Sequence, residues 1–166
     1  MRTMVCGALL ALAWLLVAAG RQLRGTGAGA HGRTFIGRAV VAGGERIDLD
    51  SYRWKRRLLL VFAPSAKMPA YQDQQRLLTG HDAQLAERDV TRGAFVRDGS
   101  GYLGASAVSG AASAEVRVWL GVSADRFAVL LVGKDGGVKL TRAEPISAVE
   151  LIAVIDAMPM RRAGQR

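Results

Sequence analysis

Residues 58–64 read LLLVFAP, and this short apolar run decides the fold class. Five apolar side chains follow one another at its start with no polar residue between them, a pattern typical of a strand buried on both faces of a sheet. A second run of this kind, FAVLLV, occupies residues 127–132. Two fully buried strands predict an α/β fold, because helices must then cover both faces of the sheet.

Extended and helical patterns alternate on both sides of these runs. Gly43-Gly44 and Asp135-Gly136 each separate two short apolar runs, as the turn of a β-hairpin does. In chain order, the predicted elements are a hairpin of residues 35–42 and 46–49, the strand at 58–62, a helix over 69–87 interrupted at Gly80, a strand at 88–90 that resumes at 94–96, a loop over 98–113, a short helix over 114–120, a hairpin of 127–132 and 138–140, and a final helix that ends at Pro159.

The predicted helices carry apolar residues at helical spacing. Ser147 and Glu150 have the S-x-x-E spacing of a capping box, which places the start of the final helix. The side chains expected to face inward are Tyr71, Gln74, Gln75, Leu77, Leu78 and Leu85 in the first helix, Val116, Trp119 and Leu120 in the short helix, and Val149, Leu151, Ile152, Val154, Ile155 and Met158 in the last.

Four stretches of the chain carry a family resemblance. They are residues 49–64, with Tyr52 and Trp54 ahead of the apolar run, residues 87–89, residues 131–139 around the turn GKDGG, and the ending IDAMPMRR at 155–162. Through these residues the chain resembles the DUDES-type domain, a thioredoxin-like, peroxiredoxin-related domain of unknown function. The resemblance covers residues 48–162.

The resemblance implies an α/β, thioredoxin-like three-layer sandwich. Its mixed sheet would carry an N-terminal β-hairpin addition, as in peroxiredoxins, and the order of the predicted elements agrees with this arrangement. The resemblance also implies an exported setting, because such domains occur in bacterial exported proteins and in animal extracellular-matrix proteins. It brings no known catalytic residue to this chain.

The first 20 residues, MRTMVCGALLALAWLLVAAG, have the three parts of a secretory signal. Arg2 supplies the positive start, and small residues precede a cut after Ala19. The predicted organisation is a signal peptide at 1–19, a flexible tether at 20–32 and a thioredoxin-like domain at 33–166. We therefore expect a periplasmic or secreted protein. Arg21 and Arg24 leave the alternative of an uncleaved N-terminal membrane anchor open, because positive charge after the apolar stretch resists export.

A redox thiol does not accompany the predicted redox fold. Cys6, within the predicted signal peptide, is the only cysteine. The position at which thioredoxins hold C-x-x-C reads Ser65-Ala66-Lys67-Met68, and the peroxiredoxin register places Tyr71 at the cysteine. Asp125-Arg126 stand where thioredoxins have a proline. Because the thiolate is the reacting species in such enzymes, we expect no thiol redox catalysis.

Neither a metal nor any other cofactor is predicted. His31 and His81 have no companion ligands at the spacing that a zinc site needs. Residues 99–104 match G-x-G-x-x-G, but that motif binds dinucleotides only between a strand and a helix N-terminus. These residues are therefore interpreted as part of a loop.

The formal net charge of +9 favours anionic partners. The basic residues are scattered along the chain, so we predict no dedicated nucleic-acid site, and we do not expect a multi-span membrane protein. The preferred hypothesis is a non-catalytic binding or structural module that recognises an anionic envelope or matrix component, or another protein. The alternative is an enzyme of unassigned type that uses the vacated redox cleft.

Five residues are candidates for binding. Tyr71 and Gln75 belong to the helix that begins beside the former thiol position, and Arg88 and Asp89 adjoin the strand expected next to the central one. Together they would form a polar pocket for a small anion, or else make only salt bridges and capping hydrogen bonds. Lys134, in the GKDGG turn, is either a further binding residue or a solvated turn residue. The enzyme alternative would use Tyr71, Gln75 and Arg88.

Overall fold

Strands and helices alternate along the part of the chain that the computed structural model describes, which is residues 39–42, 45–99 and 101–158. In chain order they are β1 (Ala39–Ala42), β2 (Glu45–Asp48), a short 3-10 turn (Asp50–Tyr52), β3 (Arg57–Ala63), α1 (Pro69–Leu78), α2 (Asp82–Glu87), β4 (Val90–Val96), β5 (Gly101–Leu103), β6 (Ser106–Val108), α3 (Gly110–Leu120), β7 (Ala128–Val132), β8 (Val138–Arg142) and α4 (Ala148–Asp156).

The apolar run of the sequence becomes β3, near the centre of a mixed sheet. The strand order is β6-β5-β4-β3-β7-β8, and β1 and β2 form a separate two-stranded sheet. Strand β3 pairs parallel with β4 on one side and antiparallel with β7 on the other, so that Leu60 lies opposite Gly93 and Leu130. All residues of β3 are buried. The predicted strand pairing around the LLLVF run is therefore confirmed.

Alternate side chains of β3 point into two different cores. Leu58, Leu60 and Phe62 pack with α3 and β2 on one face of the sheet. Leu59 and Val61 pack with α1, α2 and α4 on the other. A strand has this period of two because successive side chains leave opposite faces of the sheet. Helices thus cover both faces, and the predicted thioredoxin-like three-layer sandwich with a mixed sheet and a leading hairpin is confirmed.

Several local predictions hold at the ends of elements. Gly80 has a φ of +81° and separates α1 from α2, as its place in the predicted helix indicated. The Ser147 Oγ accepts a hydrogen bond from the Glu150 N–H at 3.2 Å and caps α4. In the GKDGG turn, Gly136 has a φ of +79° and the Gly133 N–H donates to the Gly137 carbonyl at 2.8 Å, so the predicted β7–β8 hairpin is present.

Two side chains predicted to face inward are exposed instead. Leu77 is 41% exposed and Val149 is 71% exposed. On α1 the buried positions are taken by Gln74 and Leu78, which are both fully buried. Helical spacing fixes which residues share a face, but it does not say which of two adjoining faces meets the sheet. In α1 the face with the polar Gln74 packs against the sheet, and the face with Leu77 is exposed.

The largest error of the sequence interpretation is the predicted loop at residues 98–113. It contains strands β5 and β6 and the first turn of α3, which Ser109 caps by accepting a hydrogen bond from the Ala112 N–H at 3.3 Å. Glycine is essential in this hairpin, because a Cβ at Gly101 would lie 2.3 Å from the Ala94 carbonyl oxygen. Close contact between strands, rather than an apolar pattern, makes this segment extended.

The predicted strand at residues 88–90 begins later than expected. Strand β4 starts at Val90 and runs unbroken to Val96, while Asp89 has a φ of +54° and lies in the turn that precedes it. The predicted signal peptide, tether and uncleaved anchor, together with residues 159–162 at the end of the resemblance, lie outside the described residues. Within the described segments, no helix is long and apolar enough to span a membrane.

Candidate functional site

Ordinary loop and helix residues occupy the position at which the fold would hold a reactive thiol. The segment from Ser65 to Met68 follows β3 and leads into α1, whose first residue is Pro69. The Ser65 Oγ accepts a hydrogen bond from the Lys67 N–H at 3.2 Å, and Met68 packs at the margin of the core. These side chains offer a hydroxyl, an ammonium and a thioether, none of which cycles as a thiolate does.

A buried arginine lies behind that segment, and sequence reasoning missed it. Arg117, on α3, is only 3% exposed. Its guanidinium donates to the Phe95 carbonyl at 2.8 Å, to the Ser123 carbonyl at 3.2 Å and to the Ala63 carbonyl, and it lies 5.4 Å from the Phe62 ring centroid. Burial lowers the pKa of Arg117, and the positive charge of Arg97 lowers it further.

The spacing of α3 contained a signal that could have revealed this arginine. Ser113, Val116, Arg117 and Leu120 recur at the i, i+3, i+4 and i+7 positions of one helical face, and all four are buried. Ser113, Val116 and Leu120 are small or apolar and are common in protein cores. Because Arg117 shares their helical face, it must also lie against the sheet. The charge of the arginine concealed its place in the pattern.

Tyr71 and Gln75, two of the predicted binding residues, lie together on the side of α1 that faces β4. The Gln75 Oε1 accepts a hydrogen bond from the Arg92 Nη2 at 3.0 Å, and the Arg92 Nη1 donates to the Asp82 Oδ1 at 2.8 Å. Burial raises the pKa of Tyr71, Tyr102 raises it further and Arg92 opposes the rise. Arg92 and Tyr102 therefore belong to this neighbourhood, although the sequence interpretation did not select them.

An open groove runs beside this neighbourhood, between α2, the start of β4 and the β5–β6 hairpin. Its volume is about 660 Å³. Two tyrosines, two arginines, an aspartate and a threonine supply its polar lining, and Leu85 and Val90 supply apolar surface. The polar residues are Tyr52, Arg56, Asp82, Thr91, Arg92 and Tyr102. The groove combines aromatic surface with fixed hydrogen-bond donors, which suits a polar ligand with negative charge.

Arg88 is turned away from this groove. Its guanidinium forms a two-point ion pair with Asp156 of α4, with Nε to Oδ1 at 3.0 Å and Nη2 to Oδ2 at 2.9 Å. The hydrogen bonds that Arg88 donates to this carboxylate raise the pKa of Arg88. Arg88 therefore joins the end of α2 to the end of α4 and does not pair with Asp89.

Asp89 and Lys134 form a second cluster beside the start of β4. The Lys134 Nζ donates to the Asp89 Oδ2 at 2.8 Å, and the Arg56 guanidinium lies 3.9 Å from the same carboxylate. The five predicted residues thus occupy three places: Tyr71 with Gln75, Asp89 with Lys134, and Arg88 with Asp156. Arg56 connects the second place to the groove. Within the described segments, no group of three or more potential metal ligands is present.

The Asp89 cluster is expected to make stability depend on pH. The hydrogen bond from Lys134 lowers the pKa of Asp89 below its ordinary value of 3.8; burial opposes this shift, and the charges of Lys134 and Arg56 reinforce it. A carboxyl with a lowered pKa in the folded state stabilises fully above its unfolded pKa, and this contribution is lost as the pH falls through the lowered value.

Asp89→Asn is therefore expected to flatten the loss of unfolding free energy below about pH 4. Asparagine accepts the left-handed backbone of this position, so the substitution tests the charge alone. Urea denaturation across an acidic pH series measures the effect. Lys134→Gln should flatten the same region, whereas Lys67→Gln, at the opposite end of β3, should leave the curve as in the parent chain. An unchanged acid limb in Asp89→Asn would contradict the assignment.

The family model described as Domain of unknown function (DUF4174) matches residues 48–164. The chain belongs to this family. The match spans most of the chain and begins at the end of β2, so the six-stranded sheet and α1 to α4 are the DUF4174 domain. The predicted resemblance to a thioredoxin-like domain of unknown function is confirmed.

A curated relative of the DUF4174 chain is coiled-coil domain-containing protein 80 of Danio rerio. The two are 33% identical over 130 residues, which is 69% of this chain and 15% of the relative. The chain therefore spans only about 15% of the length of that relative. The similarity concerns one region of a much longer protein.

A solved structure similar to the DUF4174 chain is a cysteine-to-serine mutant of peroxiredoxin 6 from Arenicola marina. It matches with a TM-score of 0.52 and 16% sequence identity over 82% of this chain and 75% of that chain. At this level of identity the match supports the thioredoxin-like fold alone.

Proposed function

We propose that this DUF4174 chain is an exported, non-catalytic binding module that holds an anionic component of a cell envelope or extracellular matrix in its groove. One observation carries the proposal: the guanidinium groups of Arg56 and Arg92 line the same open groove as Tyr52 and Tyr102. A guanidinium presents planar donors that match carboxylate, sulfate and phosphate groups.

The surroundings of Arg92 support this role. Gln75 and Asp82 hold its guanidinium from two sides, at 3.0 and 2.8 Å, so little side-chain entropy remains to be lost when an anion binds. Its side chain keeps 23% of its surface exposed, and that of Asp82 keeps 71%. Asp82 is therefore a solvated partner that a ligand anion can displace.

The residues at the former thiol position support a role without catalysis. Ser65 to Met68 provide no thiolate, and the candidates of the enzyme alternative do not converge, because Gln75 is directed to Arg92 while Arg88 is directed to Asp156. Export is supported by the signal-like pattern of the first 20 residues. Fractionation of cells followed by N-terminal sequencing of the recovered protein tests export and cleavage after Ala19.

Heparin, a soluble polyanion, is a suitable first probe of the groove. We expect the full chain to bind it with an affinity that falls steeply as salt rises. Arg56→Gln and Arg92→Gln are each expected to weaken binding about tenfold, the consequence of losing one charge-assisted hydrogen bond. Titration at several salt concentrations measures both effects, and circular dichroism verifies that each variant is folded.

Arg76→Gln is the matched control, because Arg76 lies on the outer side of α1 with 77% of its side chain exposed. It removes the same charge without touching the groove. Equal weakening in all three variants would show attraction to net charge alone and would reject the groove. Binding that does not respond to salt would reject the anionic ligand.

A further inference from the structure

Trp54 lies in the loop between the 3-10 turn and β3, and its conformation is unusual for its size. Its φ is +63°, in the left-handed region, and the residue is 61% exposed. A bulky side chain rarely adopts this backbone conformation, which costs about 1–2 kcal/mol relative to glycine. Because the indole is so exposed, packing in the core does not recover this cost.

The loop that carries Trp54 is held firmly. The Trp54 N–H donates to the Lys134 carbonyl at 2.6 Å, and the N–H groups of Lys55 and Arg56 donate to the Tyr52 carbonyl at 3.1 and 2.8 Å. These bonds fix the backbone so that the indole is presented to the outside. Glycine or asparagine would satisfy the same backbone with less strain, so the fold itself gives no reason for tryptophan here.

Basic side chains surround this indole. Residues 53–56, Arg-Trp-Lys-Arg, are here called the Trp54 loop. The Arg53 guanidinium carbon lies 5.6 Å from the indole centroid, and Lys55 and Arg56 follow directly. Two carboxylates face the loop: Asp50 lies 3.8 Å from Arg53, and Asp89 lies 3.9 Å from Arg56. The cations of the loop exceed these two acids by one, before Lys134 is counted.

We propose that the Trp54 loop binds the surface of an anionic phospholipid bilayer. The indole would enter the boundary between headgroups and acyl chains, where tryptophan is favoured because its ring is apolar and its N–H is polar. Arg53, Lys55 and Arg56 would lie against the lipid phosphates. Each basic residue near an anionic membrane strengthens binding roughly fivefold.

The position of the indole favours a bilayer over a polysaccharide chain. Trp54 does not line the groove, which is formed by Tyr52, Arg56 and residues of α2 and β4. An aromatic ring that projects outward beside cations can enter a planar, deformable interface, whereas a chain molecule is held between the walls of a cleft. This inference goes beyond the proposed anion groove and does not depend on it.

The fluorescence of Trp54 tests the proposal directly. Trp14→Phe and Trp119→Phe in the full chain leave Trp54 as the only tryptophan. With vesicles of phosphatidylcholine and phosphatidylglycerol, we expect its emission to shift to shorter wavelength and quenching by acrylamide to decrease several-fold. Vesicles of phosphatidylcholine alone should produce neither change. Because the signal arises from Trp54, binding through the apolar residues 1–20 cannot imitate it.

A second pair of variants, made in the parent chain, tests the proposal without the Trp14→Phe and Trp119→Phe replacements. Trp54→Gly is expected to unfold at the same temperature as the parent chain or higher, because strain is removed, while the fraction that sediments with anionic vesicles at low lipid falls about tenfold. Lys55→Gln should lower that fraction roughly fivefold. Arg76→Gln, remote from the loop, should leave the sedimenting fraction within twofold of the parent.

Two results would overturn the proposal. In the first, Trp54 emission and quenching do not respond to anionic vesicles. In the second, heparin produces the same spectral change, which would assign the loop to a polyanionic chain. If heparin still binds through Arg92 while Trp54 does not respond to vesicles, the groove stands and only the membrane contact fails.

Discussion

Replacing Arg117 with alanine is expected to lower the free energy of unfolding by about 3–5 kcal/mol. The guanidinium joins carbonyls at the ends of two neighbouring strands, Ala63 of β3 and Phe95 of β4, to the Ser123 carbonyl beyond α3. Alanine leaves the Phe95 carbonyl without this donor and opens a cavity against the Phe62 ring. Urea denaturation followed by circular dichroism measures the loss.

Arg117→Met separates the two causes of this loss. Methionine refills much of the space but donates no hydrogen bond. It also removes the free-energy cost of burying a charged group, the same burial that lowers the pKa of Arg117. We expect a smaller loss of about 1–3 kcal/mol. Arg97→Ala is the control: its side chain is 49% exposed in ion pairs with Asp98 and Asp125, and its loss should stay near 0.5 kcal/mol. Equal losses for Arg117→Ala and Arg97→Ala would contradict a structural role for the buried guanidinium.

Gln74→Leu is expected to lower the free energy of unfolding by about 2–4 kcal/mol. The Gln74 Nε2 donates to the Ile146 carbonyl at 2.9 Å, and the Gln74 Oε1 accepts from the Ile146 N–H at 2.8 Å. The side-chain amide therefore links α1 to the segment before α4, because it pairs with both backbone groups of Ile146 as a residue of a neighbouring strand would. Leucine has a similar volume but leaves both backbone groups of the buried Ile146 unpaired.

Gln74→Glu tests whether these hydrogen bonds, rather than side-chain volume, account for the loss. A protonated carboxyl can still donate and accept once each, whereas a buried carboxylate has no proton for the Ile146 carbonyl. Burial raises the pKa of such a carboxyl above its unfolded value, so this variant should recover stability as the pH falls through the raised value. Gln72→Glu, at an exposed position of the same helix, should show no recovery. A Gln74→Leu variant as stable as the parent would reject the interpretation.

The sequence predicted elements reliably where the apolar pattern was continuous. The runs at 58–62 and 127–132 became β3 and β7 because such segments can be satisfied only between two covering layers. Gly80 and Ser147 predicted helix boundaries equally well, because Gly80 separates α1 from α2 and Ser147 caps α4. The segment from Gly101 to Val108 was not predicted in this way, because its two strands are only three residues long each and give no apolar run, and their extension depends on the pairing of β5 with β4.

The candidate residues show the same division. Tyr71 and Gln75 were placed correctly on one helix, yet the arginine that meets Gln75 comes from β4, 17 positions later. Arg88 and Asp89 are adjacent in the chain, but Asp89 has a left-handed backbone. Arg88 pairs with Asp156, whereas Asp89 pairs with Lys134. Residue spacing predicts which side chains are neighbours on one helix or strand, but it does not predict which side chains of another element they contact.

The sequence by itself determined a two-faced α/β sheet, the order of its elements outside residues 98–113 and the vacated thiol position, because these depend on apolar runs and residue types along a single segment. Tertiary structure alone decided which backbone groups the Arg117 and Gln74 side chains contact, that Arg56 and Arg92 share a groove, and that Trp54 is held outward. These depend on backbone carbonyls and side chains that only chain folding brings within hydrogen-bond distance, and such distances leave no periodic trace in the order of residues.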